Sequence, residues 1–572
     1  MKNIDRRSFL SVSTGSLAAA ALVGGRFREV LAQGNPGGNL VVDTAAGKLR
    51  GTVLNGVNAF KGVPYGASTA GAGRFMPPVK PQPWAGVRDA IDIGPRSPQP
   101  VRLMVPEMGD TLTGSGPMSE DCLRVNVWTP GVGAGRRPVM VWMHGGGFRT
   151  GSGSAVMFDG RELARKHDVV VVTVTHRLNA LGFLYLGEIA GGKYADSVNV
   201  GMRDIVLALE WVKENIAAFG GDAGNVTVFG QSGGGGKTSM LTAWPSAKGL
   251  FHRAIIQSTI SDTAVRGLTK EQAIQAAETF LARLGVKANQ PDQLDALQNL
   301  PVERLMSALV GGDGPAGEVA RDVRPGAAQP LAGDLSLRFT PVVDGRWLPR
   351  HPYDPDAPTV SADIPLLCGS VETESVPYQG LNDPYWTTTE IDAASLHDRV
   401  KRSLQAGDAE ADRVIGIYRS HRPKASNMDL ATIIASDNGV LRTSEYVIAE
   451  RKLALKKAPV YMYYFNWYSP LREGRVRAMH GVELPFVFDH VDEGAFMIGR
   501  GPERQALADK VSAAWVAFAR SGNPSHKGLP DWKPFNVADR PTMVFNTECA
   551  LVNDPYGEER LALKAIREKT SG

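Results

Sequence analysis

Three short runs, residues 139–143, 169–174 and 226–229, are apolar at nearly every position rather than at every second one. A strand with one face in water alternates; a strand covered on both faces does not, and such strands belong to parallel sheets sandwiched by helices. Between the second and third runs, residues 200–219 carry Ile205, Leu209, Val212 and Ile216 at the spacing of one helix face. Strand, helix, strand in that order predicts a mostly parallel α/β sheet.

The remaining segments fit around that sheet. Residues 40–65 alternate short β-type runs with Gly and Asn turns, which predicts an antiparallel region at the start. Residues 123–128 alternate up to Pro130 and read as a further strand, as do residues 254–256. Residues 365–369 and 459–465 read as the last strands of the sheet, with a helical stretch at about 390–456 between them. Residues 263–339 are helix- and loop-prone and read as an insertion over one end of the sheet. A periodic helix is expected over 504–520, closed by Gly522 in a left-handed cap. No Pro/Ser-rich linker interrupts the chain, so residues 33–572 are expected to form one domain with helical insertions.

Residues 1–32 are set apart. Asp5-Arg6-Arg7-Ser8-Phe9-Leu10 has the pattern of a twin-arginine export signal, and an Ala-rich apolar run follows it to about Gly25. That run is short for a bilayer span, and Val30-Leu31-Ala32 offers a cleavage site. The expected mature chain starts near Gln33, outside the cytoplasm (periplasmic or secreted) and without a stable membrane anchor. The segment holds Lys2, Arg6, Arg7, Arg26 and Arg28 against Asp5 and Glu29, a net +3 of the chain's +4, so the mature protein is near +1. With no basic tract, nucleic acid is not an expected partner. Cys122, Cys368 and Cys549 are far apart and lack metal-ligand spacing; buried free thiols are preferred to a single disulfide formed after export, and neither metal nor cofactor is expected.

The chemistry lies in the turns that follow the first and third apolar runs. After residues 226–229 comes Gly230-Gln231-Ser232-Gly233-Gly234, a Gly-x-Ser-x-Gly pentad leading into a helix-compatible stretch. Such a strand–turn–helix can hold a serine on a strained corner with its hydroxyl exposed and the next backbone N–H aimed at an oxyanion. After residues 139–143 comes His144-Gly145-Gly146-Gly147-Phe148, whose glycines let the backbone approach a substrate and turn N–H groups toward it. Either motif alone has a bland reading as a tight turn. Together, in this order, they point to a serine hydrolase. The same stretch runs on to Gly236-Lys237-Thr238, the end of a phosphate-binding loop, but counting back five places from Gly236 gives Gln231 where that loop requires glycine.

With these motifs, the chain resembles the type-B carboxylesterases of the α/β-hydrolase fold, the family that includes bacterial para-nitrobenzyl esterases and the cholinesterases. Further landmarks are Phe60-Lys61-Gly62-Val63-Pro64-Tyr65, Ser119-Glu120-Asp121-Cys122-Leu123, the FTPVVDG stretch at 339–345 and His480-Gly481-Val482-Glu483-Leu484-Pro485-Phe486. The resemblance runs from about Leu40 to Phe545. It implies a triad in chain order: Ser232 as nucleophile, Glu374 as orienting acid and His480 as base. Glu372 is the rival acid, and His490 the fallback base. The N–H groups of Gly146, Gly147 and Gly233 would form the oxyanion hole. The implied substrate is a small carboxylic ester with an apolar or aromatic part, cleaved through an acyl-enzyme; amide or carbamate cleavage by the same triad is the alternative. Phe148 and Trp244 are candidates for the substrate pocket and Pro384-Tyr385-Trp386 for its rim, against plain core packing.

This chain departs from the family pattern at three places. The family usually has Glu before the serine and Ala after it, where this chain has Gln231 and Gly233. Gly233 keeps its N–H but is expected to loosen the corner. Gln231 removes a buried charge. Ser97 stands where the family's cysteine partner of Cys122 is expected, which implies that the first family disulfide is absent. Two other classes compete with the hydrolase: a nucleotide-binding protein, and a non-catalytic binding relative on the same fold. The presence of all three triad residues argues against the second.

Overall fold

The computed structural model describes residues 40–100, 114, 116–259, 264–287, 290–310, 337–378, 384–388 and 390–570. The expected export segment lies outside these residues.

The N-terminal region is antiparallel, as its turns predict: β1 (Val41–Thr44) pairs with β2 (Gly47–Arg50), and β3 (Thr52–Leu54) with β4 (Val57–Pro64). β5 (Val87–Asp89) completes a small three-stranded sheet with β1 and β2. The large sheet takes in β3, β4, β6 (Arg124–Thr129), β7 (Arg137–Met143), β8 (Val170–Thr175), β9 (Gly221–Gln231), β10 (Arg253–Gln257), β11 (Leu366–Val371) and β12 (Val460–Phe465). It ends in β13 (Pro541–Phe545) and β14 (Ala550–Asn553), in the order β14-β13-β12-β11-β10-β9-β7-β8-β6-β4-β3. Every pairing from β13 to β8 is parallel, and both flanks are antiparallel. This is the expected α/β class. Two strands, β13 and β14, extend it beyond residues 459–465, the last strands that the sequence predicts. Nor does the sequence pattern predict the C-terminal helix Gly557–Thr570.

The central strands lack alternation because each side chain enters one of two cores. In β7, Val139, Val141 and Met143 join one apolar cluster, whereas Met140 and Trp142 join another. β12 divides the same way, Val460 and Met462 against Tyr461, Tyr463 and Phe465. The period of two is intact; both of its phases are apolar. Helix Val200–Asn215 supplies Ile205, Leu209 and Val212 to the first cluster, and helix Pro502–Ser521 supplies Leu507, Val511, Trp515 and Phe518 to the second. These two helices therefore cover opposite faces. The second stops at Gly522, at φ 81°, whose N–H is bonded to the Phe518 carbonyl (2.7 Å), as the sequence predicts.

Among the described residues, the insertion includes helices Lys270–Arg283, Pro291–Asn299 and Val302–Val310, and Phe280, Leu297 and Leu305 seat them on the first cluster. Between β11 and β12 the expected helical stretch comprises Ala393–Leu404, Asp408–His421, Asn427–Asn438 and Val440–Ala454.

One buried ion pair fixes the crossover out of β8. Arg177, two residues past the strand, lays its guanidinium along both carboxylate oxygens of Asp204 in helix Val200–Asn215 (2.9 and 2.6 Å). Both side chains are almost wholly excluded from water. Removing one partner strands the other charge, a loss of about 3–5 kcal/mol for buried pairs. Asp204→Ala is therefore expected to lower the apparent Tm by several degrees, measured by thermal denaturation. A melt unchanged within one or two degrees, at about the precision of such a scan, would show that the pair does not hold the crossover.

Candidate active site

The pentad serine occupies a corner that few residues adopt. Ser232 has φ 58° and ψ −124°, between the end of β9 and the first residue of helix Gly233–Thr242. Backbone of this kind costs about 1–3 kcal/mol and persists only when its surroundings over-determine it. Here the Ser232 N–H donates to the Gln257 carbonyl of neighbouring β10 (2.8 Å), and its own carbonyl accepts from Gly236 N–H (3.0 Å). Sheet and helix thus hold the residue from both sides.

Two loops bring the other candidates together. β11 ends at Val371, whose N–H donates to Glu374 Oε1 (3.1 Å). A single parallel bridge pairs Thr373 with Met479, with Thr373 N–H donating to the Ala478 carbonyl (3.0 Å). The next residue on each side is Glu374 and His480, so the bridge sets them side by side. His480 Nδ1 is hydrogen-bonded to Glu374 Oε2, and both side chains are buried. A ring that donates from Nδ1 to a carboxylate keeps its Nε2 as the basic atom. Glu372, the rival acid, is engaged elsewhere, by Arg422 and the Tyr464 hydroxyl (3.2 Å each). His490 is bonded to the Asp159 carbonyl and lies 3.5 Å from Glu493.

His480 Nε2 faces the elbow. The Gln231 side-chain amide lies 3.1 Å from it and, since Nε2 is the accepting nitrogen, is the donor. The position that would carry a carboxylate in the family pattern here holds a neutral group on the base itself.

The glycine turn lies against the elbow helix. Gly146 and Gly147 have φ of 86° and 67°, a left-handed backbone that glycine alone takes without strain. Any Cβ on Gly233 would fall inside the van der Waals shell of the Gly147 backbone. The expected loosening at Gly233 is therefore not what its surroundings provide: the position is buried and leaves no room for alanine. The phosphate-loop reading fails on the same geometry. Lys237 is wholly buried and donates to the His144 carbonyl (2.8 Å), with the glycine turn packed where a phosphate would sit.

The structure puts the pocket candidates in the core. Phe148 is buried edge-on to Phe183 (5.2 Å between centroids), and Trp244 is buried in the same cluster. Tyr385 and Trp386 are buried too, with Arg472 over the Trp386 ring (4.4 Å), so the expected rim is a packed corner. Cys122 and Cys368 are buried free thiols, while Cys549 is only half-buried. Ser97 is buried within hydrogen-bonding reach of Cys122, where a disulfide partner would stand. Among the described residues, no group of three His, Cys, Asp or Glu could hold a metal ion.

Two further carboxyl groups flank the triad and carried no signal in the sequence beyond Glu483's place in the histidine motif. Glu445 accepts from the N–H and hydroxyl of Thr259 (2.9 and 3.0 Å). Glu483 meets the Gln257 amide at 3.4 Å. Each keeps one buried oxygen without a hydrogen-bond partner. Burial, reinforced by the Glu374 charge, pushes the Glu483 carboxyl up from 4.5 to about 7. Between those values the folded chain holds a proton that the unfolded chain has released. This group's contribution to stability is thus full below pH 4.5 and is lost as pH rises to about 7. That shift corresponds to roughly 3 kcal/mol. Glu483→Gln is expected to gain stability relative to wild type between pH 5 and pH 8 in thermal melts. A gap that stays constant with pH would mean that Glu483 is ionised throughout.

Comparison with known proteins identifies the family. Residues 38–563 match the carboxylesterase family. The chain is 35% identical over 526 residues to the para-nitrobenzyl esterase of Bacillus subtilis, covering 91% of this chain and 98% of that protein. It is 34% identical over 519 residues to the phenmedipham hydrolase of Pseudarthrobacter oxydans, covering 90% and 96%. Among solved structures, a carboxylesterase of Geobacillus stearothermophilus superposes with a TM-score of 0.74 at 36% identity, covering 92% of this chain and all of that one. An esterase of Clostridium hathewayi reported to hydrolyse aliphatic aromatic polyesters superposes with a TM-score of 0.76 at 30% identity, covering 93% and 99%. The chain belongs to the carboxylesterase family and is a serine hydrolase of carboxylic esters.

Proposed function

We propose that Ser232 is the nucleophile, His480 the base and Glu374 the orienting acid. Ser232 Oγ attacks the ester carbonyl while His480 Nε2 takes its proton; Glu374 stabilises the imidazolium that forms. The N–H groups of Gly146, Gly147 and Gly233 receive the oxyanion, a role in which one donor is typically worth about 100- to 1,000-fold in rate. His480 then protonates the departing alcohol. Water, activated by the same ring, attacks the acyl-enzyme and frees the acid. The observation that carries this reading is the His480–Glu374 contact, with the ring's second nitrogen facing the elbow at Gln231. The substrate class is a neutral ester with an apolar or aromatic part, in keeping with the name of the Bacillus relative.

The triad is tested with para-nitrophenyl acetate or butyrate on purified mature protein. Ser232→Ala is expected to lower kcat at least about 1,000-fold without changing the melt. Glu374→Gln should cost orders of magnitude, whereas Glu372→Gln, on the Arg422 side, should stay within about tenfold of wild type. Activity surviving in Ser232→Ala, or the larger loss falling on Glu372, would reassign the roles.

Residues 1–32 are proposed to direct twin-arginine export, on the strength of Arg6-Arg7 and the apolar run that follows. Replacing both arginines with lysine should keep the esterase in the cytoplasm when cells are fractionated, and the exported form should begin near Gln33 by N-terminal sequencing. Export unaffected by the double change would sink this part.

A further inference from the structure

Lys237 lies in the Gly236-Lys237-Thr238 run, which the geometry removes from any phosphate loop, and ester hydrolysis by itself gives it no task. Its position is costly. The side chain is wholly buried, no carboxylate among the described residues pairs with it, and burial holds its amine well below the ordinary lysine range. Methionine would fill similar space without that cost, so the amine itself needs a reason.

Geometry supplies one. Positions 233, 234 and 237 share one face of helix Gly233–Thr242. At the first two, a Cβ would collide with the backbone of Gly147 and with the Met143 carbonyl, respectively. That face is therefore the floor on which residues 143–147 rest, and Lys237 Nζ reaches up from it to the His144 carbonyl (2.8 Å). This carbonyl belongs to the peptide that enters the glycine turn. Further contacts fix the turn's path: His144 Nδ1 meets the Gly145 carbonyl (2.8 Å), and the Gly146 carbonyl accepts from Arg149 N–H (3.3 Å), Thr150 N–H (3.1 Å) and the Thr150 hydroxyl (3.3 Å). All of these engage carbonyls, and none uses the N–H of Gly146 or Gly147. The His144 ring stacks on His176 (5.1 Å, 22°), so the turn's entry is held from a second side.

We propose that Lys237 is a positioning residue for the oxyanion hole: by fixing the His144 carbonyl, it sets the direction of the Gly146 and Gly147 N–H groups. The inference rests on the oxyanion role proposed above for those glycines. Lys237 touches no reacting atom. Its effect belongs to the transition state, where the oxyanion forms, rather than to substrate binding.

The test compares Lys237→Met, which removes the donor, with Lys237→Gln, which keeps an amide donor on a shorter side chain. Turnover is expressed per active site titrated with a fluorophosphonate, so that misfolded protein does not count. Lys237→Met is expected to lower kcat about 10- to 100-fold, with KM within about threefold of wild type. Affinity for an alkyl trifluoromethyl ketone, which adds Ser232 to give a tetrahedral oxyanion, should fall in parallel with kcat, and Lys237→Gln should recover part of both. A kcat per titrated site within twofold of wild type, or a fall in kcat without loss of ketone affinity, would overturn the proposal. Should Lys237→Met not fold, the crystal structure of the wild-type phosphonate adduct decides. Nζ on the His144 carbonyl, with the phosphonyl oxygen on Gly146 and Gly147, is the expected result. Nζ turned away from that carbonyl defeats the role of Lys237; a phosphonyl oxygen directed away from the turn instead defeats the oxyanion assignment.

Discussion

A serine at φ 58° and ψ −124° does not hold itself there. Ser232 keeps this backbone because its N–H is tied to β10 and its carbonyl to the first turn of the helix that follows. The rest of the site depends on that corner. It lifts the serine out of line with the sheet, starts helix Gly233–Thr242 under the glycine turn, and sets Gln231 against His480. The strain is tolerable because β9 sits between β7 and β10 in the middle of a large parallel sheet with two apolar cores. A corner at the edge of a smaller sheet would have fewer bonds with which to offset it.

Burial without ion pairing is the second theme. Lys237, Glu445 and Glu483 are all enclosed, and water exclusion pushes each toward its neutral form. His144 and His176 are driven the same way, well below the ordinary imidazole range. Glu374, by contrast, has both oxygens engaged, by Val371 N–H and by His480. Around the candidate triad, the groups that could compete for its protons are thus largely stripped of charge. A low-dielectric site with few stray charges is one in which aligned N–H groups act most strongly on a developing oxyanion.

Much of this was legible in the sequence, and the exceptions share causes. The unbroken apolar runs at 139–143, 169–174 and 226–229 revealed a sheet covered on both faces, because each phase of a two-residue period enters a core. β13 and β14 were missed since Pro541–Phe545 is short and opens with proline, and β14, on the edge, is largely exposed. Glu374 was separable from Glu372 only through family likeness. What distinguishes them physically is the bridge at Thr373 and Met479, a pairing across more than a hundred residues that no local pattern encodes. Phe148, Trp244, Tyr385 and Trp386 show the opposite failure: an aromatic beside a catalytic motif looks the same in sequence whether it faces a ligand or the core. Gly233 looked like a loosened corner, and only the proximity of Gly147 shows that a glycine is needed there for space.

The bridge between Thr373 and Met479 has a further consequence. It joins the candidate acid, three residues past β11, to the candidate base, fifteen residues past β12, although they stand 106 residues apart in the chain. Backbone pairing beyond the strand ends, rather than nearness in sequence, carries the alignment. Helix Asn427–Asn438, from the intervening stretch, braces the same loop, with Ser375 N–H donating to Ser436 Oγ (3.1 Å), so a substitution on that helix can reach the proton-transfer pair without touching substrate.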